Sequence, residues 1–169
     1  MTYQINHVAV GILRWNDQFV LVQQQYIKEK PPFWVLPGGI VEPGELITEA
    51  LVRELAEETG AVVESIGSLA YCMQIDHPVR REQTIAYCFE IDSWSGVLQS
   101  ADPDNEILSV ALVPLADALQ LLESIPWLAV REPLLAYLRG ECPTGTLWFY
   151  RELDGVQVLL DRLTGELPT

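Results

Sequence analysis

The sequence predicts an α/β fold, a mixed β-sheet with helices on its faces and a β-hairpin at its C-terminal end. Two observations carry that expectation. Apolar runs rich in Val and Ile are punctuated by turn-forming pairs, and they alternate with segments whose apolar residues recur at helical spacing. No repeat, low-complexity tract or linker divides residues 1–169, so the order of elements reads as one layered domain.

In chain order, 7–15 and 18–26 are strands separated by Asn16-Asp17, a tight-turn pair. Trp34-Val35-Leu36 is a short strand ended by Pro37-Gly38-Gly39. Residues 46–59 hold no Pro or Gly and read as a helix, with Gly60 placed to end it. Strands follow at about 62–75 and 83–91, joined by Asp76-His77-Pro78-Val79-Arg80-Arg81. A long polar connection over 93–106 leads to a strand at about 108–113. Two helical segments come next, and Pro133 is expected to kink or split the second. The last signal is a hairpin over about 147–163, two apolar runs around Asp154-Gly155.

Ten Lys+Arg against 24 Asp+Glu give a formal net charge of −14, which makes nucleic-acid polymers and acidic lipid poor partners. No apolar run is long enough to span a bilayer, and the first residues lack the pattern of a signal peptide. Cys72, Cys88 and Cys142 show no metal-ligand spacing, so they are expected to be reduced and structural, in the cytoplasm. His7 and His77 are too far apart in sequence to suggest a zinc site. An anionic ligand would need local cations to bridge it to so acidic a surface.

The segment at 39–61, GIVEPGELITEALVRELAEETGA, holds the candidate chemistry. In helical projection Ile47, Leu51 and Leu55 form one apolar stripe with Val52 at its edge, while Glu54, Glu57 and Glu58 fill an adjoining arc. Like charges at that spacing repel, and negative charge at a helix C-terminus opposes the macrodipole. Either the three are simply solvated, or a divalent cation joins them. Mg²⁺ takes hard oxygen ligands and keeps positions open for phosphate oxygens.

Gly39, Glu45, Arg53, Glu54, Leu55, Glu57, Glu58 and Gly60 stand where the Nudix box, G-x5-E-x7-R-E-U-x-E-E-x-G-U, asks for them, and the segment resembles it closely. Ala61 in place of the last bulky aliphatic is the single departure. At about 7% usage per residue type, seven fixed letters match by chance in roughly one window in 10⁸. The resemblance extends over about residues 5–122 and leaves 123–169 as an extension. It implies an α/β/α sandwich with a catalytic loop-helix. It also implies a Mg²⁺- or Mn²⁺-dependent hydrolase of a nucleoside diphosphate linked to another moiety.

Carried over by position, Glu57 and Glu58 are the principal metal ligands, and Glu54 is a third ligand or the general base. Arg53 and Glu45 form a supporting pair, and the Gly39 carbonyl reaches the metal. Glu106 either completes the ligand set or is an ordinary strand-edge charge, with Asp102 and Asp104 behind it as candidates. His77, Pro78, Arg80 and Arg81 lie where subfamilies place substrate-selecting residues. Tyr26, Phe33 and Trp34 either stack on a base or pack in the core. The C-terminal hairpin covers the core, forms a homodimer interface or roofs the pocket. Two other readings compete with the enzyme: a nucleotide-binding sensor of the same fold, and an acidic structural domain. The retained box carboxylates and the lack of a basic helix-turn-helix pattern favour the enzyme.

Overall fold

The computed structural model describes residues 2–165. Strand β1 (Gln4–Trp15) takes part in two sheet regions. Along one, β1 runs parallel to β6 (Glu82–Gly96), which pairs antiparallel with β5 (Ala61–His77). β5 then runs parallel to β8 (Thr146–Leu153), which forms a hairpin with β9 (Val156–Leu163). Short β4 (Gly38–Ile40) lies antiparallel to β1 through Val8–Val10. In the other region β2 (Gln18–Gln24) lies between β3 (Phe33–Val35) and β7 (Ile107–Pro114), antiparallel to both. Parallel and antiparallel pairs together make the mixed sheet the strand order predicts.

Alternation within the strands sends side chains into two cores, one on each side of the sheet. Ala9, Leu13, Val20 and Ile91 pack with Leu51 and Leu55 of α1 (Ile47–Thr59). Ile12, Leu21, Tyr71, Met73, Trp148 and Tyr150 pack with Leu122 of α2 (Leu115–Leu122) and Leu134 of α3 (Leu128–Leu138). Helices thus cover both faces, the arrangement of an α/β/α sandwich.

Three details depart from the sequence reading. The polar stretch at 93–96 is strand, because Val63, Val62 and Ala61 pair with Trp94, Ser95 and Gly96 while Trp94 Nε1 donates to the Arg14 carbonyl at 3.0 Å. α3 is not split at Pro133 but runs through it as one helix. Burial of Ala129, Leu134, Leu135 and Ala136 offsets the missing backbone donor. The strands β5 and β6 also run farther than expected, to His77 and from Glu82, with the turn confined to the residues between.

Candidate active site

The carboxylates are placed by the way α1 is held at both ends. At the N-terminal end, Glu49 accepts the Leu46 N–H at 2.8 Å, half of a capping box. At the other, α1 has no basic residue in its last turn. Its carbonyls are satisfied by backbone instead: Gly60 N–H donates to Ala56, Gln99 N–H to Thr59 at 2.8 Å, and Ala101 N–H to Glu57 at 2.7 Å. The 99–101 segment therefore stitches the loop carrying Asp102 and Glu106 to the end of the carboxylate helix.

Arg53 is the hub of the exposed side. It grips Glu45 with two parallel hydrogen bonds, Nε to Oε1 at 2.9 Å and Nη2 to Oε2 at 3.0 Å. Its Nη2 also donates to the Ile40 carbonyl at 3.1 Å, and Nη1 reaches Glu54 at 2.7 Å and Glu57 at 3.4 Å. The Glu45 carboxyl is accordingly held below the usual range, by Arg53 first and then by the Glu42 N–H. Glu54 shifts the other way, because burial outweighs the help of Arg53. Its carboxylate lies against Gly39, where any added Cβ would fall 2.4 Å from the carboxyl carbon. A glycine at 39 is what lets β4 approach this carboxylate.

Glu58 faces inward. It is 7% exposed, and its Oε2 accepts the Gly38 N–H at 2.8 Å. Burial pushes its carboxyl up to about 8, and the charges of Glu54, Asp102 and Glu106 add to the rise. Glu106 is also shifted upward, by burial and then by Asp104 and Asp102. Asp102 organises this loop: Oδ2 accepts the N–H of Glu106 at 2.6 Å and of Ile107 at 3.0 Å, and Oδ1 accepts that of Asp104 at 3.1 Å. Among the described residues no three carboxylate, imidazole or thiol groups already converge as metal ligands. The donor set nevertheless fits a hard divalent cation: oxygens only, one of them on a buried carboxylate that accepts a backbone N–H.

This burial gives a testable sign. A carboxyl raised in the folded state contributes stability at acid pH, and the contribution is lost as pH rises toward about 8. In EDTA the melting temperature of the wild type is expected to fall between about pH 5 and pH 8 relative to Glu58→Gln, with Mg²⁺ closing the gap. Parallel pH profiles for the two proteins would contradict it.

Beside the carboxylates runs a trough on the α3 face of the sheet. Its floor is four cross-strand pairs: Tyr71 with Cys88, Met73 with Ala86, Ile75 with Thr84 and His77 with Glu82. Alternate residues share a face, so these line one channel, about 20 Å long from Tyr71 to His77 at the rise of a strand. At one end lies a cavity of about 250 Å³ bounded by Gly38, Gln24, Val10, Tyr26, Phe33 and Trp127. Trp127, Phe33 and Tyr26 form an aromatic cluster with centroids 5.3–6.2 Å apart. The Tyr26 hydroxyl is pushed to about 12 by burial and then by Glu58 and Glu106, which ties this cavity electrostatically to the carboxylates. At the other end lies a cavity of about 750 Å³ with His77, Arg80, Glu82, Arg131, Glu152 and Gln157.

The predicted substrate residues divide accordingly. Tyr26 borders the first cavity; His77 and Arg80 border the second. Trp34 packs against the core and lines neither, so the aromatic wall is Phe33, one residue earlier. Arg81 lines neither and lies over the Tyr3 ring at 5.9 Å. Sequence reasoning missed Gln24, which is 6% exposed, and Trp127. The only signal for either was a polar residue ending an apolar strand and a tryptophan between Pro126 and a helix.

A family model described as the NUDIX domain matches residues 5–135. The ADP-ribose pyrophosphatase of Methanocaldococcus jannaschii is 35% identical over 100 residues, 59% of this chain and 58% of that protein. The mouse 8-oxo-dGDP phosphatase NUDT18 is 32% identical over 109 residues, 64% of this chain but 32% of the relative. The matched region thus spans between about a third and three fifths of these curated relatives. Among solved structures, a MutT protein from Bacillus halodurans superposes with a TM-score of 0.68 at 21% identity, over 94% of this chain and 96% of that one. The E. coli ORF135 protein gives 0.66 at 25% identity, over 81% and 90%.

Proposed function

The chain belongs to the NUDIX family, and on that premise we propose that it is a divalent-metal-dependent pyrophosphohydrolase of a nucleoside diphosphate joined to a further group. One observation carries the reading most: the buried Glu58 carboxylate, with Glu54 and Glu57 on the same helix, stands beside an aromatic-walled cavity that Gly38 shares with it. Glu57 and Glu58 would hold Mg²⁺ or Mn²⁺, with Glu54, Glu106 and the Gly39 carbonyl as further oxygen donors. When bound, such an ion neutralises diphosphate charge and acidifies a water at phosphorus.

The chain's own groups do the rest. The bidentate Arg53–Glu45 pair and the Arg53 bond to Ile40 hold loop and helix in one geometry. Glu54, half-buried against Gly39, is either a further ligand or the base that takes the water's proton. Phe33 and Trp127, packed edge to face, give the cavity an aromatic wall against which a heterocycle stacks, and Gln24 offers it an amide donor and acceptor. Charge balance supports the ion: a chain of net charge −14 holds a diphosphate more readily through a cation than through its few lysines.

The test is hydrolysis of a panel led by ADP-ribose and 8-oxo-dGDP, the compounds named for two relatives. Nucleoside triphosphates, nucleotide sugars and dinucleoside polyphosphates complete it, each with Mg²⁺ or with EDTA. At least one compound is expected to turn over with Mg²⁺ and none with EDTA. Tight binding without turnover across the panel would favour a sensor instead.

A further inference from the structure

The C-terminal hairpin lies outside the matched family region, yet it borders the trough. α3 begins at Leu128 with Trp127 as its N-cap, a residue with no side-chain acceptor for the free N–H groups of the first turn. Gln157 of β9 supplies that acceptor from outside the helix: its Oε1 takes the Ala129 N–H at 2.9 Å. The hairpin thereby fixes the start of α3, and with it Trp127, Ala129 and Val130, which wall both cavities. The same hairpin closes the far cavity through Glu152, Gly155 and Val156.

We propose that the β8–β9 hairpin is part of the substrate-binding apparatus: Gln157 is a positioning residue for the Trp127–Val130 wall, and the cavity it closes receives the uncharged, hydrogen-bonding outer edge of the substrate's heterocycle. This rests on the hydrolase reading above. The ligand class follows from the lining. Arg80 and Arg131 are balanced by Glu82 and Glu152, so neither a polyanion nor a polycation is favoured. The polar groups are also held in place. Arg80 Nη2 lies 2.6 Å from His77 Nδ1 and 3.5 Å from Glu152, Arg131 donates to the Ile125 carbonyl at 2.8 Å, and Glu82 accepts from Asn6 at 2.5 Å. His77 Nδ1 also lies 3.0 Å from the Glu152 carboxylate, so the imidazole, the guanidinium and the carboxylate hold one another in place. Fixed donors and acceptors of both kinds, beside an aromatic face and at the far end of an apolar channel from the carboxylates, suit the edge of a base.

The experiment compares Gln157→Leu and Gln157→Glu with the wild type in the full chain. Glu keeps an oxygen acceptor and suits a helix N-terminus, whereas Leu removes the cap. For the best panel substrate, Gln157→Leu is expected to raise KM roughly tenfold with kcat within about threefold, and Gln157→Glu to restore KM. Dissociation constants for AMP, GMP, CMP and UMP, measured by calorimetry in EDTA, should weaken in parallel for whichever of them binds. A lowered melting temperature with KM and these constants unchanged would overturn the proposal, and so would a wild type that binds none of the four. Monophosphate binding that depends on Gln157 in a protein that hydrolyses nothing would uphold the hairpin's role and refute the hydrolase reading alone.

Discussion

Glu58→Gln is expected to lower kcat/KM by roughly 10³-fold or more while the protein remains folded. The residue is 7% exposed and the charges of Glu54, Asp102 and Glu106 act against its own, so its charge is held at a cost. Gln preserves shape and an oxygen for the Gly38 N–H bond, and removes only the charge. If that charge serves a cation, the variant loses activity and gains stability together. Loss of both would indicate collapse of the β4–α1 contact instead, and retention of full activity would remove Glu58 from the ligand set. Glu57→Gln is expected to lose activity comparably. It should gain less stability, since the Glu57 side chain is 35% exposed and near Arg53.

The second large effect is on the fold. Gly60 follows α1 with φ 75°, a left-handed conformation that costs an alanine about 1–2 kcal/mol. Space makes it worse: an added Cβ would meet the Val97 carbonyl oxygen at 2.4 Å and that of Gln99 at 2.9 Å. Both are backbone atoms of the chain that leads into the 99–101 stitch at the helix end. Gly60→Ala should therefore destabilise by about 3 kcal/mol or more, a fall of roughly 6–12 °C in melting temperature for a chain of this size. Gly44→Ala is the control. Its φ of 89° is also left-handed, but nothing lies within 4 Å of the added Cβ, so only about 1–2 kcal/mol is expected. Equal losses in the two variants would leave conformation alone as the cause.

Gly60 shows why this site was largely legible in sequence. The box residues are local: Gly39 in β4 and Glu45 in the turn after it lead directly into α1, where helical spacing alone places Arg53, Glu54, Glu57 and Glu58 on adjoining faces. The hairpin was equally legible, because Asp154 and Gly155 both take the positive φ that its turn requires. What sequence reading could not reach was non-local. Gln24, Trp127 and Gln157 come from β2, the start of α3 and β9, and only the sheet order brings them to one trough. Sequence alone does not separate Phe33 from Trp34 for the same reason: which of two adjacent aromatics faces the cavity depends on the register of β3 with β2, where Trp34 pairs with Gln23 and Phe33 with Gln24. Ser93–Gly96 was missed because polar residues reveal no alternation until β5 is paired with them.

The claim that joins these parts is that the glutamate face of α1 binds a divalent ion. Calorimetric titration of Mn²⁺ into the protein without substrate tests it most directly, with Glu57→Gln and Glu58→Gln beside the wild type. Saturable binding by the wild type, weakened at least about tenfold in each variant, is the result expected. Identical isotherms for all three proteins would contradict it.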